Sequence, residues 1–95
     1  MSRTKIYKNQ SYLTIRLNTM VDISAANAAR ILYKKPGGKA GYWVAAVINT
    51  TYVQYTFTGI ELNLAGTWEL QAYVEIGGLK GYGEIVKQIV DNPLG

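Results

Sequence analysis

Residues 68–84 constrain the fold more than any other stretch. Trp68, Leu70, Ala72, Val74 and Ile76 alternate with Glu69, Gln71, Tyr73 and Glu75. That period of two belongs to a strand with one dry and one wet face. Gly77 and Gly78 follow at once and can take the two positive φ angles of a type I′ turn, so a hairpin is expected. With those glycines as the loop, Ile76 faces Leu79, Val74 faces Gly81, Ala72 faces Gly83 and Leu70 faces Ile85. On the wet side Glu75 meets Lys80, Tyr73 meets Tyr82 and Gln71 meets Glu84. The ion pair and the aromatic pair each contribute about 0.2–1 kcal/mol. On the dry side Ala72, Gly81 and Gly83 leave a hollow, which a close-packed interior fills. A large side chain from a facing sheet is therefore expected there, and Trp43 is the choice.

The rest of the chain reads as further short strands. Residues 5–8 alternate poorly and are expected at a sheet edge, where lysines discourage pairing with other chains. Residues 12–18 point Leu13, Ile15 and Leu17 one way and Tyr12, Thr14, Arg16 and Asn18 the other. Asp22 or Ser24 can cap a helix and four alanines favour one. One short helical turn is expected at residues 23–26, before a strand at 29–35 that ends in the turn Pro36-Gly37-Gly38. Residues 42–48 are apolar on both faces, which predicts one strand covered on both sides. Val53, Tyr55 and Phe57 alternate with Gln54, Thr56 and Thr58. Residues 60–66 form a crossing loop, with Leu62 and Leu64 expected to plug the end of the core. Residues 85–90 complete the last strand, and the tail leaves the sheet at Pro93, which has no N–H for a ladder. About seven strands with a turn signal roughly every ten residues predict an all-β sandwich or barrel in one domain.

Composition removes several classes of chemistry. The 95 residues include no cysteine and no histidine, which rules out disulfides, thiolate zinc sites and His-dependent triads. No apolar run approaches the ~20 residues of a membrane span. The start is basic, but no apolar core follows it, so no signal peptide is expected. The net charge of +4 is scattered, whereas nucleic-acid binders carry a basic stripe. Mild solubilising charge is the expected role.

Two resemblances add to this. Leu64-Ala65-Gly66-Thr67-Trp68 resembles the entry to the sixth strand of immunoglobulin-type domains. Tryptophan stands here for the usual tyrosine, and the disulfide cysteine is missing, so an antibody-like domain is not implied. A wider likeness runs through Tyr12-Leu-Thr-Ile-Arg-Leu, Asp22-Ile-Ser-Ala, Ile31-Leu-Tyr-Lys-Lys-Pro-Gly-Gly, Tyr42-Trp-Val-Ala, Val53-Gln-Tyr and Gly66-Thr-Trp-Glu-Leu-Gln-Ala-Tyr-Val. It resembles the immunoglobulin-like domains of tailed-phage virion proteins, in particular the amino-terminal domain of baseplate upper proteins. The resemblance implies an immunoglobulin-like β-sandwich of about seven antiparallel strands. It further implies a virion protein, made in the host cytoplasm and repeated in a symmetric assembly with other virion structural proteins.

The residues themselves offer contact surfaces rather than reactive groups. Glu69 and Glu84 share a face in the expected register, but an open, solvated sheet raises no carboxyl pKa. The glycine-rich residues 36–41 join two strands and lack the helix amino terminus of a phosphate cradle. Tyr73 and Tyr82 are expected to stand exposed together, an aromatic patch suited to packing on a protein or stacking a sugar. Tyr42, Val44, Ala46 and Ile48 form a second, uncharged row, with Trp43, Ala45 and Val47 facing inward. The expectation is a non-enzymatic structural subunit of a phage particle (tail, baseplate, neck or capsid decoration), without cofactor or metal. The alternatives are a carbohydrate-binding module for host contact and an oligonucleotide-binding barrel with salt-dependent affinity.

Overall fold

The computed structural model describes residues 6–93. Among these residues eight strands run: β1 (Ile6–Tyr7), β2 (Ser11–Asn18), β3 (Ala28–Lys34), β4 (Ala40–Val44), β5 (Ala46–Ile48), β6 (Tyr52–Thr58), β7 (Gly66–Ile76) and β8 (Leu79–Asp91). They form two facing sheets, ordered β1-β8-β7-β3-β4 and β2-β6-β5. The chain is all-β and sandwich-like, as alternation and turn spacing predict. β1 is an edge strand as expected, although it pairs with β8 in parallel. Lys5, also expected in that strand, and the tail beyond Pro93 lie outside the described residues.

Several expectations need correction. Residues 23–26 form a single turn, closed by the Ala26 N–H on the Ile23 carbonyl at 3.0 Å, and no helix occurs among the described residues. Asp22 caps that turn just as it would a helix, accepting the Ser24 N–H at 2.9 Å and hydroxyl at 2.7 Å. These bonds lower its pKa. An Asx turn satisfies the aspartate without a helix behind it.

The second correction concerns residues 42–48. They change sheets at Ala45, giving β4 in one layer and β5 in the other. Trp43, Ala45 and Val47 still face inward, because a strand crossing between layers keeps its alternation. What changes is the direction that counts as outward.

Third, the hairpin keeps the expected register from Ile76↔Leu79 through Tyr73↔Tyr82 and then slips by one, so that Gln71 faces Ile85 and Leu70 faces Val86. A β-bulge inserts one residue into β8, and side chains beyond it change face. The Gln71 amide donates to the Gly83 carbonyl at 2.9 Å, holding the irregular segment.

Fourth, Trp43 does not fill the hollow at Ala72, Gly81 and Gly83. Thr19 and Val21 cover it instead, leaving a cleft of about 60 Å³. Trp43 centres an aromatic core, stacked on Tyr33 at 4.7 Å and on Tyr55 at 5.4 Å, with Phe57 edge-on at 5.1 Å. Trp68 lies 6.2 Å away and donates its indole N–H to the Leu64 carbonyl at 2.9 Å. Tyr33 and Trp43 belong to the larger sheet, Tyr55 and Phe57 to the smaller, so this cluster joins the layers. Leu62 plugs the core at 2% exposure, whereas Leu64 is 43% exposed and contributes its backbone.

Candidate functional site on the outer sheet face

Alternation fixes which side chains the larger sheet turns to solvent. On β3 Ala29 and Ile31 are buried, so Arg30 and Leu32 point outward. Register then sets Val44, Arg30, Tyr73 and Tyr82 in one row across four strands, and Tyr42, Leu32, Gln71 and Ile85 in the next. The two aromatic surfaces expected separately from sequence thus merge in part. Tyr42, Val44, Tyr73 and Tyr82 share this face. Ala46 and Ile48 lie on the opposite outer face of the molecule, beside Gln54 and Tyr52, because the chain has crossed layers before reaching them.

Arg30 organises the shared face. Its guanidinium lies 4.7 Å over the Tyr42 ring and 5.6 Å from the Tyr73 ring. Cation–π contacts contribute about 0.5–1 kcal/mol each at exposed sites. Its 3.9 Å ion pair with Glu75 is half exposed and adds little through screening water. Glu75 also accepts the Tyr73 hydroxyl at 2.7 Å, and this bond with the carboxylate charge raises the Tyr73 pKa. Tyr73 packs on Tyr82 at 5.2 Å with planes 55° apart.

Tyr73 is not exposed as expected; its neighbours cover it to 6% exposure. Tyr82, Ile85 and Val44 remain open at 60%, 60% and 71%. The result is a broad surface with apolar groups around a fixed arginine. It is a sheet face and not a cleft.

Sequence reasoning missed Arg30, Leu32 and Ile85 as members. The first two were legible, since the alternation of Ala29 and Ile31 assigns them outward. Ile85 was not, because only the bulge turns it out.

No reactive constellation accompanies this face. Glu69 lies between Lys34 and Lys87 on neighbouring strands, and Glu84 sits in the bulge. Among the described residues no three potential metal ligands gather, and no helix is long and apolar enough to cross a membrane. The glycine-rich stretch is a tight hairpin turn at residues 35–39, closed by the Lys35 N–H on the Lys39 carbonyl at 2.7 Å, and residues 40–41 already belong to β4.

No protein-family model matches the chain, and no curated protein matches it.

Proposed function

We propose that the protein is a non-enzymatic structural subunit of a bacteriophage particle, with an immunoglobulin-like sandwich that holds neighbouring virion proteins through its outer five-stranded face. The observation that carries this reading is the convergence of Tyr42, Val44, Tyr82 and Ile85 around Arg30. Tyrosine and arginine are enriched where proteins meet, and their pre-packing lowers the ordering cost of association. The strand orders support the immunoglobulin-like part. The order β2-β6-β5 in one sheet and β8-β7-β3 in the other is compatible with the B-E-D and G-F-C orders of that fold. The phage part rests on the sequence resemblance, an argument by analogy.

Mass spectrometry of gradient-purified phage particles from the source of the gene tests the reading. A photo-crosslinking amino acid at Tyr82, with a control at Thr56 on the opposite face, then locates the contact. Many copies per particle and crosslinks from position 82 alone are expected. Absence of the chain from particles overturns the proposal.

For carbohydrate binding, the geometry leaves Tyr82 as the open ring, with Tyr73 covered and tilted against it. A glycan array with Tyr82→Ala as control tests that alternative.

A further inference from the structure

We propose that the chain pairs with a second copy of itself through the open edge of β4. The contact is an antiparallel, two-fold ladder centred on Tyr42, which joins two five-stranded sheets into one.

The phase of the β3–β4 ladder fixes which backbone groups are open. The Lys35 N–H donates to the Lys39 carbonyl at 2.7 Å, and the Ala45 N–H donates to the Ala29 carbonyl at 2.9 Å. Between those bonds the register is unbroken, from Lys34↔Ala40 to Arg30↔Val44. Bonded and non-bonded residues alternate in an antiparallel pair, so Gly41 and Trp43 turn their N–H and C=O toward β3. Ala40, Tyr42 and Val44 turn theirs outward, away from the sheet. Among the described residues no strand pairs with that side, and no backbone bond outside the ladder involves these three residues. The first and last strands, β1 and β8, lie four and three strands away, about 19 and 14 Å.

This edge lacks the guards that other edges carry. Charge, proline, a bulge or shortness each discourages pairing with another chain. β2 has a bulge and Arg16. β8 has Lys80 and Lys87 and is flanked by β1, and β5 is only three residues long. β4 runs five residues with no bulge, proline or charge, and residues 40–60 as a whole carry no charge.

Symmetry selects a second copy as the occupant. A two-fold contact sets an edge against itself, so a charged edge would repel its mate and this one does not. The open residues are spaced evenly about Tyr42. A two-fold axis there sets the two Tyr42 residues opposite each other, and Ala40 of each copy opposite Val44 of the other. Every open N–H and C=O of the three residues then has a partner. The side chains agree, because small Ala40 leaves room beside Val44, which is 71% exposed. The two Tyr42 rings form a cross-strand aromatic pair on the outer face. Arg30 reaches the Tyr42 ring from β3, the strand on the side opposite the open edge. Lys39 falls beyond the ladder, about 20 Å from its symmetry mate. The turn at residues 35–39 and the crossing at Ala45 confine the ladder to residues 40–44.

A ladder this short buries less than the ~1,200 Å² of a stable complex, so the free chain should dimerise weakly, with a Kd of about 0.1–1 mM. Copies held side by side would pair through their raised effective concentration.

The test is NMR of the full-length, 15N-labelled chain from about 20 μM to about 2 mM, with translational diffusion measured at each step. Expected at the upper end are slower diffusion, amide shifts centred on residues 40–44, and slowed exchange of the Ala40, Tyr42 and Val44 amides. Ala40→Pro removes one open N–H at the first residue of a strand, where proline is tolerated, and should weaken association about tenfold or more. Tyr42→Lys and Tyr42→Glu should each stay monomeric, while their equimolar mixture should dimerise. If Ala40→Pro loses its native spectrum, the mixture decides. The proposal is overturned by diffusion unchanged at the highest concentration, or by shifts centred outside residues 40–44. It is overturned equally by slow exchange of the three amides at the lowest concentration, or by a mixture no more associated than its components. Crosslinks from position 82 report on the outer-face reading separately, since no step of this test depends on Tyr82.

Discussion

The carboxylate of Glu61 accepts the hydroxyl of Tyr55 at 2.5 Å. It also takes the Thr58 N–H at 2.9 Å, the Thr58 hydroxyl at 3.0 Å and the Gly59 N–H at 3.2 Å. Burial alone would raise this carboxyl, but the hydrogen bonds prevail and hold it at about 2. Burial, the bond to Glu61 and the adjacent negative charge together push Tyr55 up to about 12. The pair thus ties β6 to the loop that carries the core plug Leu62.

Stability should depend on pH at both ends through this pair. The lowered carboxyl contributes stability present above its ordinary value of 4.5 and lost as pH falls toward about 2. After discounting for solvent access the loss is about 2 kcal/mol. The raised phenol contributes stability present below pH 10 and lost as pH rises toward about 12. Urea unfolding across both windows should show the two slopes. Glu61→Gln should flatten the acid one and Tyr55→Phe the alkaline one.

Trp43→Ala should cost about 3–5 kcal/mol, since it removes the ring joining the layers and leaves a cavity. Chemical unfolding should show it, with loss of the near-ultraviolet dichroism of the stacked aromatics. A cost below 1 kcal/mol would contradict the packing described for Trp43.

Gly66→Ala should destabilise by about 1–3 kcal/mol. Gly66 has a φ of 131°, and an added Cβ would lie 2.8 Å from the Pro36 ring. The double variant with Pro36→Ala should recover the part of the steric loss that comes from the ring Cγ and not the backbone part. Melting temperatures of the four proteins separate the two.

Tyr82→Ala should lower the melting temperature only modestly, since it removes one cross-strand aromatic pair worth about 0.2–1 kcal/mol. It should nevertheless weaken attachment to the particle, because truncating an aromatic anchor often costs 2 kcal/mol or more in binding. Arg30→Ala should weaken attachment and also loosen Tyr42 and Tyr73, whose rings it touches. Co-sedimentation of each variant with particles lacking the native chain measures the effect.

Much of the fold was legible because strands with one wet face write their period into the chain. The hairpin at Gly77-Gly78 could be registered residue by residue as far as Tyr73 and Tyr82. Beyond them the bulge moved Ile85 from the expected dry side to the wet one, and a bulge leaves no periodic trace in an apolar run such as Ile85-Val86. Residues 42–48 failed for another reason. Alternation gives a side chain's parity but not the layer holding the strand, so Tyr42 and Ile48 looked like neighbours. Trp43 was correctly placed inside, but its aromatic partners required the topology. Tyr73 was correctly paired with Tyr82, but Arg30, which helps to cover it, comes from a strand more than forty residues away.

The chain passes between the layers at Ala45 on one margin and through residues 8–10 on the other, so the sandwich resembles a volume stitched along both edges. Leaves so bound cannot slide apart freely. Prising the layers open must therefore strain a stitched edge before the aromatic cluster around Trp43 is reached.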